Sequence, residues 1–209
     1  TDHRFQLRFV PAPVPRQQVV DVQAHIDPKV ALDSTVDSFA SAVMPGYIPQ
    51  PPGPLHYSLT GIAFVDNEHV KPEAYKPLYR FDSALTIPGP VLSDFIETCK
   101  GRVRLLGEDP APSAAAREVM DEVFHAFTYA PGATTIRTTA EQALAQRQGV
   151  CQDYAHVMLA ACRHVGLTAR YIAGLLGGEG ATHAWVEVYE GDRWIGLDPT
   201  HNRMVGGHY

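Results

Sequence analysis

The chain has 209 residues, enough for a sizeable core or for one domain with a smaller companion, and its 45% hydrophobic and 19% charged residues are those of a soluble globular protein. Seventeen basic against 23 acidic residues leave a net charge of −6 with no basic run, which speaks against nucleic acid or an anionic membrane surface as partner. No apolar stretch reaches the roughly 18 residues of a spanning helix, "TDHRFQLRFV" lacks an apolar leader, and three cysteines without CxxC spacing suit free thiols in a reducing, cytoplasmic setting.

Residues 1–87 read as an N-terminal β-domain. "RFQLRFV" (4–10), "QVVDVQAHI" (18–26), "STVDSFASAV" (34–43) and "LHYSLTGIAFV" (55–65) alternate apolar and polar residues as strands do. "MPGYIPQPPGP" (44–54) predicts a loop, because proline cannot donate to a strand ladder. Strands punctuated by turns suggest a β-sandwich or barrel.

From residue 88 onward the period becomes helical. Pro88 and Pro90 suit a helix start, with Leu92, Phe95, Ile96 and Cys99 on one face and Gly101 as its end. "SAAAREVMDEVFHAFTY" (113–129) predicts a second helix, N-capped by Ser113, with Val119, Met120, Val123, Phe124 and Phe127 inward. "TTAEQALAQRQG" (138–149) opens with a capping-box pattern from Thr138 to Glu141 and stops at Gly149. A fourth helix begins at Cys151, carries Tyr154, Val157, Met158, Ala161, Cys162 and Val165 at helical spacing, and closes at Gly166. Three strands then follow, "TARYIAGLL" (168–176), "HAWVEVYE" (183–190) and "RWIGLD" (193–198), the last two joined by a tight Gly191-Asp192 turn. The whole is an α+β pattern: a β-sandwich-like domain, then a helix-plus-antiparallel-sheet domain over 88–209.

Cys151 raises the chemical question. A thiol at a helix N-terminus meets unpaired N–H groups and the positive end of the dipole, which favour thiolate, and a histidine nearby would add to this. His183 opens a strand in "THAWVEV", where Trp185 and Glu187 share its face and Ala184, Val186 and Val188 form the apolar one. Pairing about the 191–192 turn brings Asp198 near His183, one residue off direct register on each side. A nucleophile, a base and an orienting carboxylate can therefore converge. Cys99 and Cys162 read as core, and Cys162 lies roughly 16 Å along the helix from Cys151, too far to bridge to it. No close-spaced ligand pair accompanies these residues, so neither a metal nor a cofactor is expected. The glycines of "GLLGGEGATH" precede a strand and no lysine follows, so they do not form a P-loop; a mobile rim over the thiol is the expectation.

"GVCQDYAHVMLAACRHVGLTARYIAG" followed by "ATHAWVEVYEGDRWIGLDPTHNR" resembles the transglutaminase-like superfamily of papain-related thiol enzymes, in particular its bacterial branch with an N-terminal β-domain. The resemblance covers about residues 113–205 through three ordered motifs, "GVCQDYAH", "HAWVEV" and "GLDPT". It implies a catalytic triad of Cys151, His183 and Asp198. The expected activity is hydrolysis of peptide or amide bonds through a thioester, as in a cysteine protease or amidase, on a peptide or protein substrate. Transamidation to an amine is the alternative, and a non-catalytic scaffold a further one. Gln152 is a candidate oxyanion donor, Asp153 and His156 are expected to support the helix start, and Trp185 either lines the acyl site or packs.

Overall fold

The alternating first third folds into two small antiparallel sheets. β1 (His3–Leu7), β3 (Thr35–Val36) and β4 (Ala42–Ile48) form one in the order β1-β4-β3; β2 (Gln17–Asp27) and β5 (His56–Val65) form a ribbon whose register shifts between Val20 and Gln23. The computed structural model describes every residue except 1, 9–10, 12–16, 40, 51–52, 67–71 and 179–181.

Two expectations fail in this region. The stretch 34–43 is not one strand, because the Asp37 carboxylate accepts the Phe39 and Ser41 N–H groups and turns the chain. The proline-rich stretch is not wholly loop, for β4 runs through Pro45, opposite Gln6 of β1. Among the described residues β3 pairs only with Ala42 and Val43, so from Met44 onward β4 is an edge strand, the setting in which proline is tolerated. Gly46 lies under the Phe5 ring, where a Cβ would collide.

The helices and a four-stranded sheet follow. After a 3₁₀ turn at Pro77–Arg80 come α1 (Pro90–Arg104), α2 (Pro112–Ala126), β6 (Thr128–Tyr129), α3 (Ala140–Gln146), β7 (Gln148–Gly149), α4 (Cys151–His164), β8 (Ala169–Leu175), β9 (Thr182–Glu190), β10 (Arg193–Asp198) and β11 (Arg203–Met204). The last four form an antiparallel sheet ordered β11-β10-β9-β8, while β6 and β7 make a short parallel bridge. Glu190 pairs with Arg193 about the Gly191-Asp192 turn, both of whose residues adopt positive φ. Ala184, Val186 and Val188 pack into one core with α4, whose residues are buried continuously from Asp153 to Cys162.

The chain divides into compact units at 71/72 rather than at 87/88. Residues 73–87 hold to the second unit through specific bonds: Glu73 N–H to the Asp192 carbonyl at 2.8 Å, Arg163 Nε to the Tyr79 carbonyl at 3.0 Å, and His164 Nε2 with Asp82 at 2.8 Å. Tyr79 also sets its ring edge-on to Trp194 at 5.3 Å.

Helix ends also differ from expectation, and most of the differences are tertiary. α1 continues past Gly101 to Arg104, because one glycine costs only ~1 kcal/mol while Val103 extends the apolar stripe. Ser113 is not the N-cap of α2; Ala111 is, with Pro112 at the first position, and the Ser113 N–H donates to the Glu190 carboxylate at 2.7 Å. Phe124 is exposed rather than inward. The capping box of α3 pairs Thr139 with Gln142, and the helix ends on Arg147 in the left-handed conformation, before Gly149. Glu141 instead accepts the Gly89, Val91 and Leu92 N–H groups at the start of α1.

Candidate active site

Cys151 occupies the first turn of α4, half-buried. The turn is built locally. Asp153 accepts the Val150 N–H at 2.8 Å and the Thr134 hydroxyl at 2.6 Å through one oxygen. Gly149 must be glycine, since a Cβ there would meet the Asp153 Cβ at 2.6 Å. Asp153 thus fixes the N-terminus that carries the thiol.

Facing that turn are β9 and the end of β10. The His183 ring hydrogen-bonds Cys151 and, through Nε2, the Asp198 carboxylate at 2.8 Å. With Nε2 engaged by Asp198, Nδ1 is the nitrogen left for the sulfur. The contact to Asp198 is diagonal, because direct register in this hairpin places Trp194 opposite Tyr189 and Leu197 opposite Val186. His183 and Asp198 are almost completely buried. Burial alone would lower the imidazole, but the Asp198 and Cys151 hydrogen bonds and both partners' negative charge outweigh it and raise His183 from 6.5 to about 9. Burial likewise opposes ionisation of Asp198, yet hydrogen bonds from His183, Tyr209 and His201 hold it well below the usual carboxylate range.

The other cysteines contrast with this setting. Burial, with the Glu122 charge adding to it, pushes Cys99 up to about 12, and burial pushes Cys162 higher still.

The remaining sequence candidates are placed as follows. Gln152 donates its amide to the Thr135 carbonyl at 3.3 Å, on the loop before α3. His156 is buried on α4 with its ring 5.2 Å from that of Tyr171; burial lowers its pKa and the Asp153 charge partly offsets this. Trp185 is 4% exposed, stacks at 6.3 Å from the His183 ring and covers Gly174. Residues 179–181 of the glycine loop, expected as a rim over the thiol, lie outside the described residues.

Sequence reasoning missed two groups. His201 Nδ1 lies 2.7 Å and the Tyr209 hydroxyl 2.6 Å from the same Asp198 oxygen that meets His183. One signal for the tail was present: Gly196 inside "RWIGLD" marks a close backbone approach, and a Cβ there would meet Val205 at 2.6 Å. Ligand atoms of His183, Asp198 and His201 fall within 4.8 Å of one another, near enough to share a metal ion, but both ring contacts are already hydrogen bonds to one carboxylate oxygen.

Residues 102–199, just under half of the chain, match the family model described as the transglutaminase-like superfamily. Uncharacterised proteins of Mycobacterium bovis and Mycobacterium tuberculosis are 37% identical over 44% of this chain, which spans only 35% of their length. A protein-glutamine gamma-glutamyltransferase of Pseudomonas aeruginosa is 30% identical over 43% of this chain and 16% of its own. A candidate cysteine protease from Cytophaga hutchinsonii shares the fold, with a TM-score of 0.74 and 19% identity over 98% of this chain and 75% of that one.

Proposed function

We propose that this transglutaminase-like chain is a thiol hydrolase of peptide or amide bonds, with Cys151 as nucleophile, His183 as general base and acid, and Asp198 as the group that orients it. The observation that carries the reading is that one buried histidine hydrogen-bonds both Cys151 and Asp198. Among the described residues the other cysteines are buried at core positions with raised pKa values, which leaves Cys151 as the accessible thiol.

Raised to about 9, His183 carries its proton at neutral pH. The Cys151 sulfur attacks the amide carbonyl, the C–N bond breaks, and the His183 proton passes to the leaving amine, leaving a thioester. Water attacks the thioester, gives a proton back to His183 and expels the Cys151 thiolate, releasing the acid and restoring the starting pair. Asp198, held by five hydrogen bonds, keeps Nε2–H in place throughout. The Cys151 N–H at the start of α4 is the proposed oxyanion donor.

A second reading is favoured by one observation, the similarity to the gamma-glutamyltransferase: an amine, rather than water, takes the acyl group. A peptide library incubated with and without a fluorescent primary amine tests both, with products read by mass spectrometry. New carboxylates in both conditions support hydrolysis; amine incorporation at glutamine supports transfer; neither product, with intact folding, refutes the enzyme reading and favours a scaffold. Iodoacetamide should abolish activity and EDTA should leave it unchanged; the reverse would assign the chemistry to a metal.

A further inference from the structure

The chain after β10 returns to the site. Arg203 and Met204 pair with Asp198 and Leu197, the Val205 N–H donates to the Gly196 carbonyl at 3.0 Å, and the His208 carbonyl accepts the Gly177 N–H at 2.7 Å. So anchored, the tail sets Tyr209 over Asp198. Its hydroxyl donates to Asp198 Oδ2 at 2.6 Å and accepts from Arg203 Nε at 2.8 Å, while the Arg203 guanidinium lies 5.3 Å from the ring centroid. The ring stands edge-on to Trp185 at 5.4 Å and 6.1 Å from His183.

We propose that Tyr209 is a positioning residue for the His183–Asp198 pair: its hydroxyl, aimed by Arg203, fixes Asp198 Oδ2 and takes up part of the charge that this oxygen presents to His183. Tyr209 lies outside the residues that match the family model. The inference rests on the triad reading above.

The argument is one of shared acceptance. Asp198 Oδ2 meets three donors, His183 Nε2 at 2.8 Å, His201 Nδ1 at 2.7 Å and the Tyr209 hydroxyl at 2.6 Å, and the hydroxyl is the shortest. An oxygen has two lone pairs, so the donors compete, and each further donor weakens the oxygen's hold on the others. The hydroxyl stays protonated over the working range, since burial and the Asp198 bond hold Tyr209 at about 12 against the opposing effect of Arg203. It therefore acts as a fixed donor. Without it, Oδ2 becomes the more basic and binds the His183 proton harder, which slows release of that proton to a leaving group.

The test uses the full chain with histidine-specific NMR labelling, reading the His183 midpoint, together with the rate of Cys151 alkylation by iodoacetamide. Tyr209→Phe keeps the ring contacts and removes only the hydroxyl. The expected result is a rise of the His183 midpoint by about half a pH unit or more, with an unchanged circular dichroism spectrum. Arg203→Met, which leaves the hydroxyl but removes its guide, should shift the midpoint in the same direction by less, and it decides the matter should Tyr209→Phe fail to fold. An unchanged or lowered midpoint in the folded variant overturns the proposal. His183→Ala separates this from failure of the triad: if alkylation of Cys151 is insensitive to His183, the triad falls; if it is sensitive while Tyr209→Phe titrates like the parent, only the role of Tyr209 falls.

Discussion

Two buried acid–base pairs share one face of β9, four residues apart, and they do different things. At Glu187 a fully buried carboxylate meets Arg170, with Nε at 2.8 Å and Nη2 at 2.7 Å; Arg170 also reaches Glu73 at 3.0 Å and lies 4.1 Å above the Trp194 ring. At His183 an equally buried carboxylate, Asp198, meets an imidazole whose other side faces a thiol. The Glu187 pair holds a guanidinium that keeps its proton, raised further by its acidic partners despite burial, so it can only fasten residues 73–80 to the sheet. The His183 pair holds a base that can exchange its proton. Burial of an ion pair therefore does not single out the candidate site; an exchangeable proton beside a half-buried thiol does.

The sharpest way to break this contrast is at the thiol and its histidine. Cys151→Ala is expected to abolish turnover, and His183→Ala to lower it ~10²–10⁴-fold, while both remain folded. Retention of full activity by either variant, read on any peptide substrate found in the library screen, would erase the distinction between the pairs. Glu187→Gln should do the opposite: leave the reactivity of Cys151 in place and lower stability by about 3–5 kcal/mol, the usual result of stranding one member of a buried pair. Urea denaturation monitored by tryptophan fluorescence measures this, and a loss below 1 kcal/mol would mean that Arg170 is not committed to Glu187.

The pH dependence of stability sharpens the comparison further. His183 has a folded-state value of about 9 against an ordinary 6.5, so its contribution is full below 6.5 and is lost as pH rises through about 9. The parent should lose stability across that window and His183→Ala should not; parallel curves would contradict the pairing. The shifts at His183 and Asp198 describe one interaction and count once. The smallest effect is expected at Glu141→Gln, which weakens the cap of α1 by about 1 kcal/mol without touching the site.

The parts of the molecule that could be read from sequence are those determined locally. The helical stripe from Cys151 to Val165, the faces of β9 and the turn at 191–192 all follow from period and turn chemistry, and together they place Cys151, His183 and Asp198 side by side. What escaped was set by distant partners. Glu141 looked like half of a local capping box but serves another helix, and Ser113 yields its cap to Glu190 across 77 residues. Pro45 looked like a strand breaker, and only the shortness of β3 explains why it is not. The His201 ring and the Tyr209 hydroxyl escaped because a His and a Tyr in "HNRMVGGHY" carry no periodicity, and Gly196 signals only that some backbone comes close; the folded tail brings them to the carboxylate.

The most direct test of the account is the rate at which iodoacetamide alkylates Cys151 at neutral pH, assigned by peptide mass spectrometry in the parent and in His183→Ala, with Cys99 and Cys162 as internal references. The account predicts that Cys151 reacts far faster than either buried cysteine and slows by about tenfold or more without His183. Equal rates at Cys151 in the two proteins would contradict it.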